Sequence, residues 1–358
     1  MKLFAVSAIA VLIISLAGST PARDEKKPKN TGQKVEKSYP VDPQPIVTLC
    51  VAAGELRVRG WDKNEIRVRS VSETQIDFRR IDRTKDTSKP ATRVDVMVFD
   101  KSIGNQKRDC QAFADVEMEV PSAATVQVQT RDGDITIAGV AGAYAGSQNG
   151  DITIERATKQ VEAGSVGGSI YLRNSTGRVS LSSAGGGVEV ANIRPATDED
   201  TFEVGTVSGD IQLDRVSNAK VMAKTVNGTV MLSGPLVKAG NYAFTNMTGD
   251  IVLSLPHDAS FQLNAKVSDK HDIVSDFELT YLSEPPPPTP AAKPSTSKAP
   301  APKGPPGVKG GPVVAPIGVG KPVVVVPYML RRVNAVCGSG DATISIASFG
   351  GTVRLKKI

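Results

Sequence analysis

Four aspartates that each follow a glycine are the side chains with the clearest chemical potential in this sequence. They are Asp134, Asp151, Asp210 and Asp250. If the units that carry them stack, the carboxylates line up along one edge, where neighbours could bind a cation or act as general acid and base. The equivalent position in other units is occupied by Ser169, Arg178, Gly187 or Thr229. An arginine within the row is incompatible with a calcium or catalytic ladder, so the pattern favours turn residues that bind backbone amides.

Nucleophilic catalysis has no matching pattern. The two histidines, His257 and His271, lie in the turn-like sequences Leu-Pro-His-Asp and Asp-Lys-His-Asp, and no Gly-x-Ser-x-Gly motif precedes them. A serine nucleophile would need one of them beside it. We therefore predict no catalytic residues, no metal site and no cofactor.

Three cysteines are present, Cys50, Cys110 and Cys337, which leaves an odd thiol if the chain is exported to an oxidising compartment. A Cys50–Cys110 disulfide is one interpretation. Metal ligation is a second, although no Cys-x-x-Cys spacing exists. Burial as small apolar side chains is a third and agrees equally well with the sequence.

The aspartates belong to a repeat of the form Gly-x-[Ile/Val]-x-apolar. Eight segments share it, beginning at Gly133, Gly150, Gly168, Gly177, Gly186, Gly209, Gly228 and Gly249. The successive steps are 17, 18, 9, 9, 23, 19 and 21 residues. Apolar residues at every second position predict a short strand with one buried side. We assign the preceding turn to glycine, which tolerates positive φ, and to the Asp or Asn beside it.

A second alternating pair, such as Val126 and Val128, lies between these strands and gives each unit two strands. One unit cannot bury its row of Ile and Val, whereas stacked units join their rows into a continuous core. The predicted fold class is therefore all-β, a single-stranded β-solenoid of the parallel β-helix type with about 19 residues per coil. A β-sandwich of hairpins is the alternative, because Asp-Gly and Asn-Gly are also hairpin turns.

The first 22 residues have the features of a secretory signal peptide: Lys2, a short apolar run and then small residues. The run is too short to span a bilayer comfortably, so no transmembrane segment is predicted in the mature chain. Ser19 stands where lipidation would require cysteine, which predicts an unlipidated protein. Export to the periplasm, the cell surface or the medium is expected.

Two low-complexity segments bracket the repeats. Residues 23–45 predict a disordered basic spacer, and residues 285–327 predict a disordered Pro/Lys-rich tether. The solenoid is assigned to residues 46–284, with degenerate strands over 46–124 and regular repeats over 125–284. Residues 328–358 return to the repeat pattern and are expected to complete the solenoid.

The formal charge of +6 is unevenly distributed. From Ser38 to Glu284 there are 26 Lys and Arg against 33 Asp and Glu, a balance of −7. From Pro285 to Arg332 there are seven Lys and Arg and no acidic residue. Because the folded part is acidic, no nucleic-acid partner is predicted.

Several segments together resemble a known family. They are DGDITIAG, NGDITIER, SGDIQLDR, LPHDASFQLNAKVSDKHDIVSDFEL and GSGDATISIASFGGTVRLKK. They are similar to the bacterial "putative adhesin" β-strand-repeat family of exported or envelope proteins, over roughly Val47 to Leu282 and the final thirty residues. The resemblance implies a β-solenoid without known catalysis and a role in adhesion or envelope-stress sensing. The Pro-rich insertion and the cysteines depart from that pattern.

The sequence therefore predicts a non-enzymatic, exported β-solenoid that serves as an adhesin-like or envelope-associated interaction scaffold. Its partners would be envelope glycans, peptides or proteins, bound through repeated weak contacts. A polysaccharide lyase or hydrolase on a β-helix face is the alternative, and it requires a cluster of two or more carboxylates. A passive spacer is a third possibility. The sequence predicts neither the ligand nor the oligomeric state.

Overall fold

The computed structural model describes residues 35–70, 74–82, 88–100, 110–268, 272–282 and 330–358. Within these ranges the regular elements are 26 β-strands, numbered β1 to β26 in chain order. The described ranges contain no helical segment able to span a membrane. The predicted signal peptide (residues 1–22), residues 23–34 of the predicted spacer and the predicted tether (residues 285–327) lie outside the described residues.

Each regular coil places one strand on each of two faces, named here face A and face B. On face A, Ile135, Ile152 and Ile170 lie in register on three successive strands, which run parallel. The step between coils ranges from 17 residues, Ile135 to Ile152, to 23 residues, Val188 to Ile211. Parallel ladders at this repeat confirm the predicted β-solenoid and exclude the alternative sandwich of antiparallel hairpins.

Face B contains fourteen strands. In order along the stack they are β4 (Thr74–Arg80), β5 (Ala91–Asp100), β1 (Val35–Ala53), β7 (Thr125–Asp132), β9 (Gly142–Asn149), β11 (Gln160–Ser165), β13 (Arg178–Ser183), β15 (Thr201–Ser208), β17 (Lys220–Asn227), β19 (Asn241–Thr248), β25 (Ala342–Ser348), β21 (Phe261–Ser268), β24 (Leu330–Cys337) and β23 (Thr280–Tyr281).

Face A contains the other twelve. In order along the stack they are β3 (Glu65–Ser70), β6 (Val116–Pro121), β2 (Leu56–Trp61), β8 (Ile135–Ala138), β10 (Ile152–Glu155), β12 (Ile170–Arg173), β14 (Val188–Ile193), β16 (Ile211–Val216), β18 (Val230–Ser233), β20 (Ile251–Leu255), β26 (Val353–Lys357) and β22 (Ile273–Ser275).

The inward-facing side chains form continuous aliphatic rows. One row on face A consists of Ile135, Ile152, Ile170, Val188, Ile211, Val230, Ile251 and Val353, all of them buried. Face B contributes smaller side chains in the early coils and Phe202, Tyr242 and Phe244 in later ones, also buried. Because each coil extends the row of the previous one, the fold builds a large core although only 4% of the residues are aromatic.

The order of coils along the stack differs from chain order at both ends. Strands β1 and β2 lie inside the stack, between the coil β5–β6 and the coil β7–β8. Strands β25 and β26 lie between β19–β20 and β21–β22. Of the segment expected to complete the solenoid, β25 and β26 therefore form an inner coil, whereas β24 lies with β21 and β23 at the end of face B. Among the described strands, antiparallel pairs occur only near these two ends.

The predicted boundary of the N-terminal spacer is wrong. Strand β1 begins at Val35, so residues 35–45 belong to a strand rather than to a disordered segment. Residues 35–40 pair with β3 on face A and the rest of β1 pairs on face B, with a register shift between Val41 and Ile46 near the prolines. Pairing with a strand that comes later in the chain, reinforced by an ion pair between Lys37 and Asp77 at 2.8 Å, overrides the local composition.

The assignment of Gly177 to the same corner as the other repeat glycines is also corrected. The strand that follows it, β13, lies on face B, so Gly177 turns the opposite corner. A Cβ there would lie 1.8 Å from the carbonyl oxygen of Lys159. The two nine-residue steps in the sequence therefore mark the two corners of one coil.

Candidate functional site

The aspartate row links successive coils. Asp134 Oδ1 accepts a hydrogen bond from the backbone N–H of Asp151 at 2.9 Å, and Asp151 Oδ1 accepts one from Ser169 at 2.7 Å. Asp210 and Asp250 bind the backbone of the next coil in the same way, at 2.7 and 2.8 Å. These carboxylates satisfy backbone donors that turn the corner between the two faces.

The corner glycines are required by the close approach of neighbouring coils. A Cβ at Gly150 would lie 2.0 Å from the carbonyl oxygen of Gly133, and a Cβ at Gly168 would lie 2.0 Å from that of Gly150. Contacts of 1.7–2.4 Å recur at Gly133, Gly186, Gly209, Gly228, Gly249 and Gly351. Positive φ occurs at only some of them, such as Gly133 and Gly228. All of these positions need glycine because a Cβ would collide with the neighbouring coil, whereas the sequence analysis predicted that positive φ would require it.

Sequence reasoning missed a buried polar row at the same corner. A Ser, Thr or Asn stands three residues before each corner glycine, and these residues are Thr130, Ser147, Ser165, Ser183, Thr206, Thr225, Asn246 and Ser348. The Ser183 hydroxyl, for example, donates to the carbonyl oxygen of Gly168 at 2.9 Å and accepts from the N–H of Gly186 at 3.0 Å. The constant offset of three residues is the signal that could have found this row.

The three cysteines have different environments. Cys50 and Cys110 form a disulfide, with their Cα atoms 4.7 Å apart. Cys337 is a buried free thiol, and burial raises its pKa. Cys50 is in register with Gln129 on the outer surface of face B, so the disulfide lies beside the concave region described next.

Two adjoining depressions form a groove across the outer surface of face B. Their volumes are about 240 and 460 Å³, and they share Gln127 and Gln129. The groove extends from Arg79 on β4 to β13 across seven strands, a length of about 29 Å at the usual strand spacing. We call it the B-face groove, and its central residues are Gln127, Gln129, Tyr144, Gly146, Glu162 and Gly164.

Two glycines form the floor of the B-face groove, and the fold does not require them. Gly146 and Gly164 lie in register on β9 and β11. A Cβ at Gly146 would come no closer than 3.7 Å to the nearest atom, and a Cβ at Gly164 no closer than 3.4 Å. Neither has a positive φ. Glycine inside a strand costs about 0.5–1 kcal/mol relative to alanine and marks a place where another group approaches the backbone.

An aromatic ring and three polar side chains surround this floor. Tyr144 lies between Gln127 and Glu162 on adjacent strands, and Gln129 is in register with Gly146. None of the other described residues forms a hydrogen bond with these four side chains. Their amide, hydroxyl and carboxylate groups are therefore free to bind a ligand.

The charged groups at the β5 end of the groove are paired. Arg79 Nη2 lies 2.7 Å from Asp95 Oδ2, and the Thr48 hydroxyl donates to the same carboxylate. Asp95 and Glu162 are four strands apart on face B, about 19 Å at the usual spacing. The two carboxylates of glycoside-cleaving enzymes are about 5–9.5 Å apart. The described part of the groove thus lacks the carboxylate pair that the lyase or hydrolase alternative requires, and the described residues contain no cluster suited to a metal ion.

Comparisons with known proteins agree with the repeat fold. A family model described as Toastrack DUF4097 matches residues 62–280, which confirms the resemblance seen in the sequence. One similar solved structure is a "putative cell adhesion protein" from Clostridium sporogenes, with 8% identity, 91% of this chain and 100% of that chain covered, and a TM-score of 0.23. "Putative adhesins" from Parabacteroides distasonis and Parabacteroides merdae have 9% and 10% identity, cover 63% of this chain and 92% and 91% of theirs, and give TM-scores of 0.35 and 0.34. Likenesses this low carry no argument about function. No curated protein matches the sequence.

Proposed function

The chain belongs to the Toastrack DUF4097 family, and from this premise we propose that it is an exported, non-enzymatic, adhesin-like scaffold whose B-face groove binds an extended glycan of the cell envelope. The observation that carries the proposal is the arrangement of Tyr144 and three unpaired polar side chains around a floor of glycines that the fold does not need. An aromatic ring offers an apolar surface for a sugar ring, and amides and carboxylates offer partners for its hydroxyl groups.

The charges of the groove favour a glycan without acidic groups. Arg79 is paired with Asp95 at 2.7 Å, and Glu162 is the exposed charge near the centre. An anionic polymer would therefore meet a net negative surface, which disfavours a nucleic acid or a polyanionic sugar.

An extended peptide is a poorer occupant than a glycan. The backbone N–H and C=O groups of β7, β9 and β11 are already used in parallel ladders with their neighbours. The groove therefore presents side chains rather than the free strand edge that a peptide uses for β-strand addition. Hydroxyl groups distributed along a sugar chain match the side chains better.

Binding of soluble envelope oligosaccharides by isothermal titration calorimetry tests the proposal. We expect Tyr144→Ala to weaken binding about 5- to 150-fold, because removal of the ring loses about 1–3 kcal/mol of buried contact. Tyr171→Ala is the matched control, since Tyr171 is a comparably half-buried tyrosine on the outer surface of face A. Equal effects of the two substitutions would contradict the groove as the site. Preferential binding of a cationic peptide would replace the glycan with a peptide, and release of shortened sugar products would contradict the non-enzymatic role.

Export is tested separately. Fractionation of the native cells followed by mass spectrometry should recover a mature chain that begins near residue 23 in the periplasm, on the surface or in the medium. Recovery of protein that retains Met1 in the cytoplasm would contradict this part of the proposal.

A further inference from the structure

An exposed apolar row follows the buried polar row around the corner of face B. The residue immediately after the buried Ser, Thr or Asn is apolar in six consecutive coils. These residues are Val166, Ala184, Val207, Val226, Met247 and Phe349, and we call them the corner row. In the two preceding coils the same position is Arg131 and Gln148. The row therefore changes from polar to apolar toward the β24 end of the stack.

Five of the six side chains of the corner row are open to solvent in the described structure, and the sixth, Phe349, is half-buried. The exposed fractions are 59% for Val166, 50% for Val207, 38% for Val226 and 53% for Met247. Contiguous exposed apolar patches of a few hundred Å² are often functional in soluble proteins, and larger ones mark sites where another group binds. The neighbouring outward positions, two residues earlier in each strand, are Gly164, Ser182, Gly205, Lys224, Thr245 and Ala347, so Lys224 beside Val226 is the one charge in this neighbouring row.

The chain re-enters the described structure at the end of this row. Leu330, the first residue of β24, pairs with Ser268 of β21. Ser268 stands one residue beyond the pair of Val267 and Ser348, and so beside Phe349. The residues just before Leu330 therefore start from the same corner as the row. In the sequence they are an apolar run, Val323 to Met329, preceded by Pro322 and Lys321.

We propose that the run Val323 to Met329 lies along the corner row and covers Phe349, Met247 and Val226. Seven extended residues reach about 23 Å. With strands about 4.8 Å apart, Phe349 is about 10 Å from Leu330 along the stack, Met247 about 14 Å and Val226 about 19 Å. Val166 is about 34 Å away, beyond the reach of this run. The length of the run thus matches the near part of the row and not the far end.

The small area of the row favours this segment over a second copy of the chain. A row about 24 Å long and one side chain wide offers on the order of 300 Å², whereas a stable dimer needs about 800 Å² from each partner. A segment attached at Leu330 binds as part of the same chain, so its high effective concentration makes a small contact sufficient.

Paired cysteine substitutions in the full-length protein test this placement, with the native Cys50–Cys110 disulfide kept. Under mild oxidation we expect Val226→Cys with Val324→Cys to form an intrachain disulfide about tenfold faster than two control pairs. One control is Val166→Cys with Val324→Cys, where the first site is out of reach. The other is Val226→Cys with Ala301→Cys, where the second site lies outside the apolar run.

Each other outcome overturns the proposal. Equal rates for all three pairs would show chance collisions, and no intrachain disulfide in the first pair would show that the run lies elsewhere. Covalent dimers formed by Val226→Cys alone would place a second copy on the row. Circular dichroism of each variant establishes that it retains its β structure, so a failed cross-link is not confused with a failed fold. This inference does not depend on glycan binding, and glycan binding does not depend on it.

Discussion

Two glycines four residues apart provide the sharpest test of how this solenoid is built. Gly164 lies on the floor of the B-face groove, in β11, and Gly168 lies at the next corner. Both have ordinary backbone conformations, since neither has a positive φ. Substitution of each by alanine therefore adds one methyl group to the same coil and tests only whether there is room for it.

The structure predicts that the two alanine substitutions change the stability of the protein in opposite directions. At Gly164 the new Cβ would lie 3.4 Å from Ser182 Oγ, an ordinary contact with a side chain that can rotate. Alanine there should stabilise the protein by about 0.5–1 kcal/mol, because glycine loses more conformational freedom on folding. At Gly168 the Cβ would lie 2.0 Å from the carbonyl oxygen of Gly150, so two coils must separate by more than about 1 Å. Overpacking of this kind, with loss of one or two hydrogen bonds, costs about 3 kcal/mol or more.

Thermal unfolding followed by circular dichroism measures both effects on the full-length chain. For a domain of this size about 1 kcal/mol corresponds to about 2–4 °C, so we expect Gly164→Ala to raise Tm by about 1–4 °C and Gly168→Ala to lower it by on the order of 10 °C. A large loss of stability for Gly164→Ala would mean that the fold itself needs this glycine, which removes the argument for a ligand on the groove floor. Tolerance of Gly168→Ala would mean that the coils are not stacked at this distance.

Three further predictions concern the buried polar row, the disulfide and a buried tyrosine. Ser183→Ala should lower the free energy of unfolding by about 1–3 kcal/mol, because it removes the two hydrogen bonds of a buried hydroxyl group. Ser182→Ala, at the exposed neighbouring position, should change the free energy of unfolding by less than about 0.5 kcal/mol. Urea denaturation of the two variants measures this difference. Replacement of Cys50 and Cys110 by serine should cost about 4 kcal/mol by the loop-entropy relation for a separation of 60 residues, measured as a shift in the urea midpoint relative to the oxidised protein. Burial raises the pKa of Tyr242 above its ordinary value of 10.0, so the folded state retains its proton longer than the unfolded state and stability should fall as pH rises past about 10. Tyr242→Phe should flatten that decline in urea midpoints measured between about pH 8 and 11.

The regular part of the solenoid could be predicted because its two signals are local. Alternation of apolar residues sets the strand, and the glycine at each corner sets the period. Both are visible in segments such as GDITI at Gly133 and Gly150. The order of coils at the two ends could not be predicted, because it depends on which strands pair over long distances. Val35 to Pro40 pairs with β3 in a segment whose charged composition by itself indicates disorder.

The B-face groove could not be predicted from the sequence, and the reason is physical. Gly164 and Gly168 are both glycines beside small residues, and the sequence does not say which of them meets a neighbouring carbonyl group. Only the distances of 3.4 Å and 2.0 Å from an added Cβ separate the two roles. The aspartates illustrate the converse: Asp134 and Asp151 were the obvious chemical candidates, and their carboxylates bind backbone amides of the next coil.

The corner and the outer surfaces of the coils are therefore under different physical constraints. At the corner, Gly168 contacts Gly150 and the Ser183 hydroxyl binds the Gly168 carbonyl group, so a substitution in one coil alters the contacts of the next coil. On the outer surface of face B, adjacent coils present residues as different as Tyr144 and Glu162 at the same position. Stacking requires the close-packed glycine and the buried polar side chain at this corner, and it leaves the outward positions free to vary from coil to coil. A repeat with recurring buried corner contacts and dissimilar outward rows can carry a binding surface that changes along its length, which is why the B-face groove and the corner row occupy different parts of one regular fold.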